Sequence, residues 1–338
     1  MARHTEQALK WLAQVQESPL DPRQPIIDPH HHLWTHPTNR YLLDELWSDT
    51  GAGHHVVKTV FVECMSGYLQ DGPEALRPVG ETHFVRALCE DSERREGACI
   101  AGIVGFADLS LGSAVREVLV AHIDAGQGRF KGIRHAVGWD ASESIRNSHT
   151  RPPAHLLLDE QFRRGFAELA PLGLSFDAWL YHPQLPELVD LARAFPDTTI
   201  VLDHFGGPLG IGPYQGRRES IFERWQRDIT ELAACPNVVA KLGGLAMPVN
   251  GFDWHRAEKP PGSAELAECQ APWHRFMIER FGAERCMFES NFPVDRASCS
   301  YVVLWNAFKR IASEYSAEQR QALFHDTAAR VYRLAEPA

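Results

Sequence analysis

The segment Asp28-Pro29-His30-His31-His32 packs three imidazoles and a carboxylate into five residues. In an extended strand alternate side chains share a face, so Asp28, His30 and His32 are expected on one side and His31 on the other. Two imidazoles two residues apart at a strand end can hold one metal ion or orient one substrate. A purely structural strand has little use for such a cluster, because buried polar groups are costly where apolar ones would do. Ionisable or polar residues also close other apolar runs: Glu63 after Phe61-Val62, Arg134-His135 after Ile133, Tyr181-His182 after Leu180, and Asp203-His204 after Leu202. Lys241 follows Ala240, and Glu289-Ser290-Asn291 follows Phe288. Singly, each has an ordinary explanation. Glu63 or Arg134 could belong to a buried ion pair, His182 could be a loop histidine, His204 a helix cap and Lys241 a snorkelling chain. Their recurrence at the ends of successive apolar runs is what points to a site.

The elements that must position these residues are short β-branched runs alternating with amphipathic stretches. Eight strands are expected: 26–33, 59–64, 99–107, 130–136, 175–181, 199–204, 238–242 and 286–290, each bounded by Gly, Pro, Asn or Asp. Helical periodicity separates them, as at 185–195 and 220–234. Strands alternating with helices imply a parallel sheet. Eight units in 338 residues imply an α/β fold of the (β/α)₈ TIM-barrel type, whose catalytic groups gather at the C-terminal ends of the strands. No glycine-rich dinucleotide fingerprint follows the first strand, which weakens an open doubly wound sheet. Residues 1–25 read as an N-terminal helical extension and 26–338 as a single barrel domain. Three long connections, 65–82, 205–220 and 247–262, each follow a strand and carry Tyr68, Tyr214, Phe252, Trp254 and His255. They suit a substrate lid or an oligomer contact equally well.

The net charge of −10 excludes the basic footprint that nucleic-acid binding needs and disfavours anionic membranes. No apolar run approaches the ~20 residues that cross a bilayer. The seven cysteines are scattered without a Cys-x-x-Cys pair, as in a reducing compartment. The N-terminal stretch lacks an apolar signal core, so a cytoplasmic location is expected.

The motifs IIDPHHHLW (26–34), FVEC (61–64), FKGIRH (130–135), VLDHFGGP (201–208), MFESNFPVD (287–295) and FHDTAARVYRL (324–334) together resemble the amidohydrolase superfamily. The likeness is to its branch of metal-dependent barrel hydrolases that includes sugar-lactone and pyrone-dicarboxylate lactonases. The resemblance runs from residue 26 to near the end of the chain. It implies that His30 and His32 are the strand-one pair and His204 the strand-six histidine, with His182 a weaker match to a strand-five one. It also exposes a departure, since the family's strand-eight Asp, which takes a proton from the attacking water, falls on Asn291. An amide has no usable basicity. Glu289, on the same expected strand face one layer below, is then the first choice of base, with Glu63 and Asp295 after it.

His30, His32 and His204 with a carboxylate would satisfy a catalytic divalent metal, zinc or manganese before others, while a metal-free route stays open because the branch includes a metal-independent lactonase. Arg134 would clamp a substrate carboxylate bidentately, and Tyr181, Lys241, Tyr68 and Trp254 complete the expected substrate-binding set. His135 points away from the axis by parity. The expected reaction is hydrolysis of a small carboxylated lactone at His30, His32, Glu63, His182, His204, Glu289 and Asn291. The alternatives are a decarboxylase or C–C hydrolase acting on an aromatic or unsaturated acid, and a non-catalytic barrel that binds a small acid. A homodimer is expected, as is usual for such barrels.

Overall fold

A computed structural model describes residues 5–36 and 39–334; the outermost residues of the expected domain bounds, 1–4 and 335–338, lie outside them. Eight parallel strands follow one another in sheet order: β1 (Pro25–His31), β2 (His55–Val62), β3 (Cys99–Gly105), β4 (Phe130–Ile133), β5 (Ser175–Ala178), β6 (Ile200–Leu202), β7 (Val238–Leu242) and β8 (Cys286–Phe288). A parallel bridge between His31 and Phe292 brings the two edges together, with His32 N donating to Phe292 O at 2.8 Å. The result is the expected (β/α)₈ barrel. Helices between the strands include α2 (Leu43–Thr50), α3 (Val79–Arg94), α4 (Val115–Gly126), α5 (Glu160–Phe166), α6 (Leu185–Ala194), α7 (Arg218–Ala233), α8 (Ser263–Phe281) and α9 (Tyr301–Ala312). The N-terminal extension is helical over Thr5–Leu12 (α1), and Trp11 Nε1 ties it to Ala257 O at 3.2 Å and Glu258 O at 3.1 Å. Among the described residues no helix is long and apolar enough to cross a membrane.

Strand alternation sorts the core into two layers. Phe61, Ile103, Phe176, Leu202 and Phe288 face the helices. Ile27, Val60, Val62, Val104, Val201, Val239 and Met287 fill the barrel interior, joined by Tyr332 and Leu334 from the C-terminal segment. Continuing the same alternation, Asp203, Lys241 and Glu289 follow Val201, Val239 and Met287 on the inner side, so the apolar floor carries a polar layer.

The first strand breaks this rule. Its register against β2 shifts between Asp28 and His31, at Pro29, which has no N–H to continue a ladder. The expectation that Asp28 shares a face with His30 and His32 is therefore wrong. Asp28 turns toward α9, where Oδ2 accepts from Tyr301 Oη at 2.9 Å, and Oδ1 accepts from Ser290 N at 2.9 Å. His30 and His32 enter the interior, and His31 packs on Phe61 in the outer layer.

Candidate active site

Most of the functional groups stand on the first residues beyond the strands, since β4, β5, β6 and β8 end earlier than the sequence pattern suggested. His30 lies at the centre, fully buried. Its ring centroid is 4.4 Å from that of His204 and 5.0 Å from that of His32. Arg134 Nη1 donates to its Nε2 at 3.3 Å, and Lys241 Nζ lies 3.2 Å from its Nδ1. Burial first, then Lys241 and His204, push the His30 pKa well below the usual value, so it is a neutral imidazole. His32 donates Nδ1–H to Val62 O at 2.8 Å, which leaves Nε2 as the free lone pair. Burial and the Arg134 charge lower its pKa to about 3.

On the β6–β8 side His204 Nδ1 donates to Glu289 Oε1 at 2.7 Å. His204 adopts a positive φ of 51°, and Gly244 after β7 passes so close that a Cβ there would sit 2.4 Å from His204 Nδ1. Trp179 packs edge-on against the ring at 5.0 Å. Glu289 is fully buried, and its Oε2 has no hydrogen-bond partner. Asn291 does not stack above Glu289 along a strand. With φ at 55° it turns away and donates Nδ2–H to Asp295 Oδ1 at 2.9 Å.

On the β2–β4 side Arg134 Nε donates to Glu63 Oε1, and Nη2 donates to the Glu63 carbonyl, both at 2.8 Å. His149 Nε2 meets Glu63 Oε2 at 3.1 Å. Burial alone would raise the Glu63 pKa, but Arg134 and then His149 outweigh it and hold the carboxyl at about 2. Beneath His30, Lys241 Nζ donates to Asp177 Oδ2 at 2.6 Å and pairs with Asp203 Oδ1 at 3.1 Å. Tyr332 reaches up from the tail to donate to Asp177 Oδ2 at 2.6 Å. Burial opposes ionisation of Asp203, yet Lys241 and His30 hold its pKa well below the ordinary range.

His30, His32, Glu63, Arg134, Lys241, His204 and Glu289 thus form one contact network. His182 does not join it. Its Nδ1 accepts from Leu209 N at 3.2 Å, its ring packs on Tyr214 at 5.3 Å, and burial lowers its pKa to about 4. Tyr181 donates its hydroxyl to Arg146 O. Tyr68 is half-buried near Glu81 and Glu63, and burial followed by those charges raises its pKa. Trp254 stacks on Phe252 at 4.5 Å. The loops after β6 and β7 are tied through Gly210 N to Val249 O at 2.9 Å. They enclose a 540 Å³ cavity lined by Leu209, Tyr214, Arg218, Asn250 and Phe252, which none of the buried charged network lines. The sequence reading passed over His149, Trp179 and the role of Asp177. A carboxylate inside the apolar run SFDAW was the signal for Asp177; a lone loop histidine carried none.

Three of these residues could hold a metal ion. His30, His204 and Glu289 offer ligand atoms within 4.8 Å of one another, and Glu289 Oε2 is buried and unpartnered. Four buried carboxylates (Glu63, Asp177, Asp203, Glu289) face two buried cations, Arg134 and Lys241. That imbalance favours an added cation. Such an ion would compete with Arg134 for the His30 Nε2 lone pair.

An interior of histidines and carboxylates in an eight-stranded barrel defines the class, and sequence comparison agrees: the amidohydrolase family model matches residues 27–334. The chain belongs to the amidohydrolase family. It is similar to an uncharacterized protein of Sinorhizobium fredii, 34% identical over 327 residues, covering 91% of this chain and 98% of that one. It is 29% identical over 333 residues to an L-fucono-1,5-lactonase of Burkholderia multivorans, covering 92% and 97% of the two chains. A crystal structure of a Burkholderia multivorans amidohydrolase with bound zinc superposes with a TM-score of 0.71 at 27% identity, covering 92% of this chain and 99% of that one.

Proposed function

We propose that the protein opens a small hydroxylated lactone by attack of water on the ring carbonyl. The observation that carries this reading is the His204–Glu289 pair, 2.7 Å apart and set against the neutral His30 inside the barrel mouth. The carboxylate fixes the imidazole by accepting Nδ1–H, so the pair together can take a proton from water. Likeness to an L-fucono-1,5-lactonase over nearly the full chain supports a sugar-acid lactone.

A carboxylate on the substrate would need a guanidinium that is not already committed, and Arg134 is held by Glu63, His30 and Asp203. We therefore favour an uncharged ring. His30, His204 and Glu289 are also the residues that would hold a divalent metal, zinc being the ion in the similar Burkholderia multivorans structure; their lone pairs would then be committed to it, so the pair acts as the base without the ion and the ion would take over the activation of water when bound. Such an ion supplies Lewis acidity toward the carbonyl and toward water.

The test is a panel of five- and six-membered aldonolactones and carboxylated lactones, followed by proton release with and without chelator. Turnover of an aldonolactone is the expected result. Turnover of carboxylated rings alone would overturn the substrate preference, and turnover of none would overturn the reaction.

A further inference from the structure

His149 has no part in the chemistry described so far. It sits on the connection 134–155 after β4, and that connection is firmly pinned. Ser148 N donates to Gly138 O at 2.8 Å, Arg151 N to Ser148 O at 2.9 Å, and Asp140 N to Asn147 Oδ1 at 2.8 Å. The loop therefore delivers His149 to Glu63 as a fixed group, Nε2 against Oε2 at 3.1 Å. The ring keeps 28% of its side-chain surface exposed, against 8% for Arg134 and none for Glu63. His149 is thus the solvent-facing end of a path that runs inward through Glu63 and Arg134 to His30. Among the described residues its Nδ1 has no protein partner.

The position of this path in the barrel matters. Strands four apart in an eight-stranded barrel face each other. Glu63 and Arg134 follow β2 and β4, while His204 and Glu289 follow β6 and β8. Two imidazole–carboxylate pairs therefore stand on opposite sides of the mouth, and only the one on the β6–β8 side has been given work. Hydrolysis of a lactone needs two proton movements, one away from water and one onto the departing ring oxygen.

We propose that His149 is the catalytic proton donor to the leaving alkoxide, oriented by Glu63; this rests on the lactone-hydrolase reading. The water oxygen bonds to the carbonyl carbon and its proton goes to the His204–Glu289 pair. The bond from that carbon to the ring oxygen then breaks, and the oxygen takes a proton from the His149 imidazolium to become the free hydroxyl of the hydroxy acid. Exposure of the His149 ring lets solvent restore its proton, and the opposite pair returns its proton to solvent. The ionisable groups facing His149 are Glu63 from the end of β2 and His135 from the end of β4, with Arg134 bound to Glu63 behind them.

The experiment compares two cyclic esters in the full-length enzyme: an aldonolactone, whose leaving group is an alkoxide, and dihydrocoumarin, whose phenoxide departs without help. His149→Ala should lower aldonolactone turnover by roughly 10²–10⁴-fold. It should change dihydrocoumarin turnover by less than about threefold, and added imidazole should restore part of the aldonolactone rate. Equal losses on both substrates, or no loss on the aldonolactone, would overturn the role. A variant too poorly folded to act on either substrate is replaced by His149→Gln, for which the same contrast is required. Wild-type enzyme inactive on every lactone sinks the underlying reaction, a result distinct from an active wild type matched by its variant.

Discussion

Glu63 shows how one residue can be read from its partners. Its carboxyl is fully buried, yet it stays ionised because Arg134 and His149 outweigh the cost of desolvation. A folded pKa lowered from 4.5 to about 2 adds stability that is complete above about pH 4.5 and is lost as the pH falls toward 2. Glu63→Gln removes the carboxylate nearest to Arg134, leaving Asp203 at 3.7 Å, and should cost about 3–5 kcal/mol at pH 7. Urea unfolding from pH 7 to pH 3 should show the gap between wild type and variant narrowing as the wild type loses this contribution. A gap that stays constant over that range would show that the pair is not what matters. Glu289 is the corresponding residue for chemistry: Glu289→Gln keeps its volume, removes its basicity and should slow the chemical step by roughly 10²–10⁴-fold. Rapid-mixing measurement of a single turnover separates that step from product release.

The loops just beyond the strands carry the geometry, and they are where sequence reasoning stops. Strand alternation correctly placed Glu289 inside, because a regular strand with a period of two leads up to it through Met287. It failed at Asp28, where the register shift beside Pro29 flips parity, and at Asn291, where a positive φ ends the strand. His182, which the resemblance offered as a weaker strand-five match, lies beyond β5 and follows its own loop. His149 could not be seen at all, since its partner is 86 residues away in sequence and no periodicity spans such a distance. Gly244 tests the loop after β7 directly. Its φ is +81°, and a Cβ would meet His204 Nδ1 at 2.4 Å. Gly244→Ala should therefore displace His204 from Glu289, lowering kcat by about 10²-fold. The αL conformation should add a stability loss of only about 1–2 kcal/mol, read by thermal unfolding. An unchanged kcat would mean that the His204–Glu289 contact does not need its present geometry.

At the scale of the whole molecule the barrel is a stacked column. Tyr332 and Leu334 close it from below, a layer of valines and Ile27 follows, and the Asp177–Lys241–Asp203 group carries the imidazoles above. Tyr332 couples the tail to the site through its bond to Asp177. Tyr332→Phe should cost about 1.5–3 kcal/mol, the worth of a hydrogen bond to a charged group, as measured by urea unfolding. Across the column the account assigns water activation to the His204–Glu289 side and leaving-group protonation to the His149–Glu63 side, with His30 between them. The measurement that tests its centre most directly is the rate of aldonolactone opening by wild type and Glu289→Gln, followed side by side through proton release at fixed pH. The account predicts ring opening by the wild type, slowed at least 100-fold in the variant. Opening of no lactone by the wild type, or an equal rate in the two proteins, would contradict it.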